Sequence, residues 1–497
     1  MTMNLYSTFR TRWHGRESQP CLRDLSTGRV LTYADVDAQS ARIAARLAEF
    51  GVTPGDRVAA QVEKSPEAFL LYLACLRAGA VYLPLNTAYQ PAEIAYFLGD
   101  AEPRLFICDP VRVESMRDAC RKSGAQPFTM DESGRGSFLD GVAQLPAHFE
   151  TVVRDDADLA AILYTSGTTG RSKGAMLSHA NLRANAEALS QAWGFSASDR
   201  LLHALPVYHV HGLFISLHCS LMSASEVLWL PKFEPSAVLR HLPEATVFMG
   251  VPTYYTRLLE RADLTRTHAD RIRLFVSGSA PLLPSTFEAF EQRTGHRILE
   301  RYGMTETGIN TSNPLQGDRV PGTVGLPLPG VELRVTGETG MIEVRGPNVF
   351  SGYWRQPEKT AADFTPDGFF LTGDLGHIDE RGYVHISGRA KDLVITGGFN
   401  VYPKELELLL DSHPGVGESA VFGVPHPDFG EAVVAVIIAA SASVKLDESA
   451  LIAHTKQQVA SFKVPKRIFV LDELPRNAMG KVQKNVLRER YGKTFAT

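Results

Sequence analysis

"LAAILYTSGTTGRSKGAMLSHANL", residues 159–182, decides how the rest of the chain is read. It opens as a short apolar run of the kind that forms a buried strand. It then passes through a dense set of glycines and hydroxylated residues. Gly167 and Gly170 let main-chain N–H groups come close to phosphate oxygens, Thr165, Ser166, Thr168 and Thr169 add donors, and Lys173 adds charge. The loop is not a Walker P-loop, which needs lysine directly after its second glycine and then Ser or Thr. Here Lys173 comes three residues after Gly170 and is followed by Gly174. A phosphate-cradling loop of another kind, set in a strand–loop unit, is expected.

Working outward, strands alternate with helices. "LTYADVDAQSARIAARLAEFG" (31–51) has a Thr cap, helical apolar spacing and a Gly stop. "DRVAAQV", "RLFICD", "ATVFMGV" and "RIRLFVSG" are short β-branched runs bounded by turn residues. This alternation predicts α/β layers around largely parallel sheets. "AFLLYLACLRAGAVYLPL" is broken by Arg77, Gly79 and Pro84, so it reads as a buried helix followed by a strand and is too interrupted to span a bilayer. From about residue 330, closely spaced strands ("VELRVTG", "GMIEVRG", "FFLTGDLGHID", "YVHISGR") predict a small β-barrel or antiparallel sheet. After "GRAKD" a second compact α+β unit of roughly a hundred residues follows. The expected division is 1–388, a linker at 389–392, and 393–497.

A net charge of −4 without any basic block argues against nucleic acid or an anionic membrane as the main partner. The first twenty residues contain no apolar signal-peptide core. Five scattered cysteines without paired or metal-like spacing predict reduced core thiols and a cytoplasmic protein. No CxxC or HExxH pattern points to zinc, and nothing in the sequence fixes the oligomeric state.

Eight segments, in order, carry a resemblance: "YTSGTTGRSKG", "ALPVYHVHG", "VSGSAPL", "RYGMTET", "GYWRQPEKT", "GFFLTGDLG", "GRAKDLVITGGFNVYPKELE" and "LPRNAMGKVQKNVLRE". Together they resemble the acyl-activating, adenylate-forming enzymes over nearly the whole chain. The resemblance implies ATP, Mg²⁺ and coenzyme A as reactants or cofactors. It implies that ATP is bound by the 165–170 loop with Lys173, by Ser279, Ala280 and Pro281, by Tyr302, Gly303, Met304 and Thr305, and by Asp374, Arg389 and Lys481. The implied catalytic set is Lys481, Glu306, Thr165, Lys173 and His209, with Glu306 as the metal ligand. Lys481 would bridge the substrate carboxylate and the α-phosphate and neutralise charge in the transition state. Lys391 takes the family's hinge position, about which a mobile C-terminal domain would swing Gly397, Gly398 and Phe399 to a tunnel for the coenzyme A thiol.

Within "LERYGMTET" (299–307), Arg301 is the unusual residue, because relatives acting on aliphatic or aromatic acids have a small residue there. A buried cation without a partner costs ~3–5 kcal/mol, so the residue makes sense if the substrate brings a second carboxylate. His211 and Ser279 would complete a grip on it, with Arg301 as the bidentate anchor. Only a short spacer fits between the two carboxylates. "RYGMTET", "HVHG" and "LPKFEPS" resemble the malonate-activating branch of the family. The expected reaction therefore joins malonate, and with it methylmalonate, to coenzyme A. Other short acids, carrier-protein loading and a non-catalytic binding relative remain alternatives at this stage.

Overall fold

The computed structural model describes residues 4–165, 172–441, 444, 446–477 and 480–495. Ser166, Gly167, Thr168, Thr169 and Gly170 of the expected phosphate loop lie outside the described residues.

Two large sheets are built from the alternating units. The first has six strands, in the order Gln126–Thr129, Leu105–Cys108, Arg57–Gln61, Val81–Pro84, Leu159–Thr165 and Lys173–Ser178. All neighbours are parallel except the last pair, which is antiparallel and brackets the phosphate loop. The second has nine strands, and its central run is parallel: Leu299–Met304, Leu274–Ser277, Val247–Gly250, Arg200–His203, Glu226–Trp229 and Pro20–Asp24.

Local signals set the elements between them. Helix Tyr33–Glu49 starts at a reciprocal capping box between Thr32 and Asp35, which satisfies two N–H groups that would otherwise be orphaned. The most apolar stretch forms helix Pro66–Ala78, capped by the Ser65 side chain and ended by Gly79 at φ +68°, before strand Val81–Pro84. Its one charged residue in the last turn, Arg77, is buried, and its Nη1 pairs with Asp37 at 2.8 Å and donates to the Tyr6 hydroxyl at 2.9 Å.

The small β unit is an antiparallel sheet of Glu332–Thr336, Met341–Arg345, Phe370–Ile378 and Val384–Arg389. Of the two forms the sequence left open, it is the open one. The outer edge of Val384–Arg389 is taken by the main chain at 324–325, through Val324 N–H to Val384 O and Val384 N–H to Gly325 O, rather than by the first strand of the unit. After a single 3-10 turn at Ala390–Asp392, a five-stranded sheet with helices Pro403–Asp411, Glu448–Lys456 and Lys484–Tyr491 forms the C-terminal unit. It has its own apolar core, including Val394, Leu406, Val421, Val433 and Ile468. All five cysteines are buried and unpaired. No described helix is long and apolar enough to cross a membrane.

Candidate active site

In parallel α/β sheets, ligands gather at the carboxyl ends of the strands. Here the ends of Arg200–His203, Val247–Gly250, Leu274–Ser277 and Leu299–Met304 converge on one cleft. The last of these strands organises the site. Side chains of a strand alternate between faces, so Arg301 and Tyr302 point to opposite sides of the same backbone. Glu300, next to Arg301 in sequence, turns away and accepts a hydrogen bond from the Leu282 N–H at 2.9 Å. Burial raises its carboxyl to about 8.

On the Tyr302 side the polar groups are mutually satisfied. The Tyr302 hydroxyl donates to Asp374 Oδ2, and Arg389 Nε pairs with Asp374 Oδ1 at 2.5 Å. Asp374 and Arg389 face each other across adjacent strands, so the sheet register itself makes the pair. Burial pushes the Asp374 carboxyl up, while Arg389 opposes it. Burial also works against Arg389, but Asp374, Tyr302 and Glu306 outweigh it and hold the guanidinium above its ordinary value. Thr372, which the sequence reading did not single out, supports the pair by accepting from the Asp374 N–H at 3.0 Å.

Glu306 is buried beside Thr165, at the end of strand Leu159–Thr165. Its Oε1 accepts from the Thr165 hydroxyl at 3.2 Å and from the Tyr353 hydroxyl at 3.3 Å, and burial raises its pKa. Among the described residues no cation pairs with it. Lys173 Nζ lies 4.9 Å from the centre of the Tyr353 ring, and burial together with Lys359 lowers its pKa. Tyr353 thus links two expected residues and was missed. Its motif "GYWRQPEKT" was visible, but a tyrosine in a turn carries no sign of which carboxylate it will meet. The arrangement suits a divalent cation: one hard carboxylate oxygen, neutral hydroxyls beside it and, among the described residues, no ion pair already taking the carboxylate. The described residues hold no cluster of three or more acidic, His or Cys side chains, so phosphate oxygens and water would complete such an ion's shell.

On the Arg301 side the polar groups are unsatisfied. Arg301 is 5% exposed, and its Nε and Nη2 atoms are buried without a hydrogen-bond partner. Burial pulls its pKa down to about 9, which leaves it charged at neutral pH. His211 Nε2 is likewise buried and unpartnered, while Ser279 Oγ lies 3.4 Å from His211 Nδ1. Ser279 adopts φ +72°, a left-handed conformation rare outside glycine, and this turns its hydroxyl toward His211. His211 opens a π-helical turn, His211–Leu217, of the kind often found at functional sites. Its backbone N–H donates to His209 Nδ1 at 3.2 Å, so the His209 proton sits on Nε2. Burial, then Lys481 and Arg301, lower His209 to about 3, so this imidazole is neutral.

Lys481 approaches from the C-terminal unit. Its side chain is open to solvent in the mouth of the cleft, yet it is surrounded by enough protein, with Arg389 close by, to lower the ammonium to about 8. Asp374, Arg301 and Glu306 also act on it electrostatically, so Lys481 stands where both halves of the site meet. Beside its loop a cavity of about 410 Å³ opens between Thr253, Tyr254 and Arg257 on one side and Arg476, Asn477 and Gly480 on the other. Lys391 lies in the 3-10 turn between the units. Gly397, Gly398 and Phe399 form the tip of a hairpin in the C-terminal unit, where Phe399 is half exposed and stacks on Phe462 at 4.5 Å. Gly303 and Met304 end the strand that carries Tyr302, Thr305 begins the turn after it, and Ala280 and Pro281 lie in the segment between strand Leu274–Ser277 and helix Pro284–Thr294. Gly303 is required by packing, since a Cβ there would meet Gly308 O at 1.9 Å.

A family model for AMP-binding enzymes matches residues 9–354, and one for the AMP-binding enzyme C-terminal domain matches 405–481. The chain belongs to the AMP-binding enzyme family. A malonate–CoA ligase of Arabidopsis thaliana is 39% identical, covering 88% of this chain and 79% of the relative. A long-chain-fatty-acid–CoA ligase of Bacillus subtilis is 33% identical, covering 93% and 90%. Family resemblance at this level therefore spans very different acids, and the acid must be argued from the pocket. ATP-bound MatB from Rhodopseudomonas palustris superimposes over 100% of both chains at 53% identity with a TM-score of 0.97. Against apo MatB of the same organism the TM-score is 0.85, at 53% identity.

Proposed function

We propose that the protein joins malonate to coenzyme A through malonyl-AMP, releasing pyrophosphate and then AMP. The observation that carries this is the buried Arg301 guanidinium, with two nitrogens unpartnered, beside His211 and the Ser279 hydroxyl. A cation left so is completed by an anion brought in with the substrate. A malonate that seats one carboxylate there presents the other toward Lys481, one methylene away. The likeness to malonate–CoA ligases and to MatB supports the same substrate. Methylmalonate adds one methyl group, worth ~1–3 kcal/mol of discrimination, and is a second substrate.

In the first half-reaction a malonate oxygen attacks the α-phosphorus and pyrophosphate leaves. The Lys481 ammonium lies between the groups on which negative charge collects. Tyr302 offers a ring face for adenine, and Asp374, held by Arg389 and the Tyr302 hydroxyl, is set to accept from the ribose. Glu306 and Thr165 would hold Mg²⁺ with the phosphates, where the ion supplies charge neutralisation. His209 serves as a neutral Nε2 donor at the acyl group. In the second half-reaction the coenzyme A thiol, losing its proton, attacks the malonyl carbonyl and AMP leaves. Residues 1–388 and 393–497 act as two domains, with 389–392 as hinge and Lys391 at its centre. The hairpin tip at Gly397, Gly398 and Phe399 then reaches the acyl group after rotation. Five buried, unpaired thiols support a reducing compartment, the cytoplasm.

The test is coenzyme A-dependent AMP formation from malonate, methylmalonate, succinate and acetate. Malonate should lead with methylmalonate next. Equal rates with acetate would refute the assignment.

A further inference from the structure

We propose that Gly278 is a specificity-determining residue: its missing side chain is the niche in which the Arg301 guanidinium is seated. The inference rests on Arg301 being the distal-carboxylate anchor. Strand Leu274–Ser277 runs parallel to Leu299–Met304, with Val276 opposite Leu299 and Ser277 opposite Glu300. Continued by one residue, that register sets Gly278 beside Arg301, on the same face of the sheet and one strand spacing away. A Cβ built on Gly278 would lie 2.4 Å from Arg301 Cζ, 2.4 Å from Nε and 2.7 Å from Nη1. The guanidinium thus lies against the bare backbone of residue 278, with no room for even a methyl group between them.

The backbone offers no other reason for glycine here. Gly278 does not occupy the left-handed region, whereas Ser279, the next residue, does at φ +72°. Alanine at 278 is therefore unstrained in φ, and the atoms it would meet are the end of a long side chain rather than a strand or a core. Gly278→Ala shifts the arginine head group and leaves the sheet in place. Residues 278 and 279 form a pair with separate tasks: the first makes space for the cation, and the second turns a hydroxyl toward His211. Arg301 alone does not confer dicarboxylate preference; it needs glycine opposite it.

A competing account is that residue 278 is glycine only so that the main chain can approach the nucleotide. The two accounts differ in a double-mutant cycle of Gly278→Ala and Arg301→Gly. The readouts are kcat/KM for malonate, kcat/KM for 3-methylbutanoate (in which an isopropyl group replaces the distal carboxylate), and KM for ATP. The niche predicts that Gly278→Ala lowers malonate kcat/KM by about 100-fold, the scale of an ~1 Å misplacement, with ATP KM little changed. In the Arg301→Gly background the same substitution should change malonate kcat/KM by less than about 2-fold, because the clash has gone. Equal losses in both backgrounds, or a loss shared by 3-methylbutanoate and ATP, overturn the niche. If Gly278→Ala does not fold, the double variant decides: restored folding supports the niche, and continued failure overturns it. Arg301→Gly alone retaining the malonate preference would sink the anchor assignment instead, so the two failures are distinguishable.

Discussion

One strand, Leu299–Met304, divides two regions of opposite character. On the Tyr302 side, Tyr302, Asp374, Arg389 and Thr372 satisfy one another before any ligand arrives. On the Arg301 side, Arg301 Nε and Nη2 and His211 Nε2 are buried and unpartnered. A satisfied network holds its shape and can offer a fixed face to a constant ligand such as a nucleotide. An unsatisfied one carries an energetic cost in the free protein that only the correct substrate removes, and this is how a site discriminates strongly.

The largest effect that would sharpen this contrast belongs to the residue where both sides meet. Lys481→Ala should lower malonyl-AMP formation, measured by malonate-dependent pyrophosphate exchange, by about 10²–10³-fold, the scale of losing one preorganised transition-state charge. Thioester formation from supplied malonyl-AMP should be nearly unchanged.

Next comes stability. Removing an unpaired buried cation relieves the free protein, so Arg301→Met should be more stable than wild type by about 2–4 kcal/mol in denaturant melts. Added malonate should raise the melting temperature of wild type only. The equivalent change in the satisfied region, Tyr302→Phe, has the opposite sign and costs about 1 kcal/mol. If both variants lose stability, the contrast fails.

The pH profile follows from Lys481, whose ammonium is lowered to about 8 by the protein that surrounds it in the cleft mouth and by Arg389. The charged form exists below that value and is lost above it. Adenylation kcat/KM should be flat below pH ~7.5 and fall up to tenfold per unit above ~8. Started from malonyl-AMP, thioester formation should lack that falling limb. A smaller effect is expected at Ser279. Ser279→Gly relieves the φ +72° conformation and should gain about 1 kcal/mol of stability, while malonate KM rises a few-fold as the hydroxyl facing His211 is lost.

Much of this was legible in the sequence because it depends on local chemistry. Thr32 with Asp35, and Ser65 with Gly79, mark helix ends within a few residues of themselves. Arg301 stood out because it is a permanent cation at a position where relatives acting on aliphatic or aromatic acids carry a small residue. Tyr353 and Gly278 escaped because their roles depend on register between distant segments: a hydroxyl meeting Glu306 47 residues away, and a glycine set beside an arginine on the next strand. The open edge of the small β sheet escaped for the same reason, since the covering 324–325 segment lies outside its strand pattern.

The most direct measurement is the ratio of kcat/KM for malonate to that for 3-methylbutanoate, in wild type and in Arg301→Gly. If Arg301 detects the second carboxylate, wild type should favour malonate by ~10⁴ or more and the variant should lose nearly all of that preference. A variant that keeps the wild-type ratio would contradict the account, because the unpaired guanidinium would then play no part in choosing the acid.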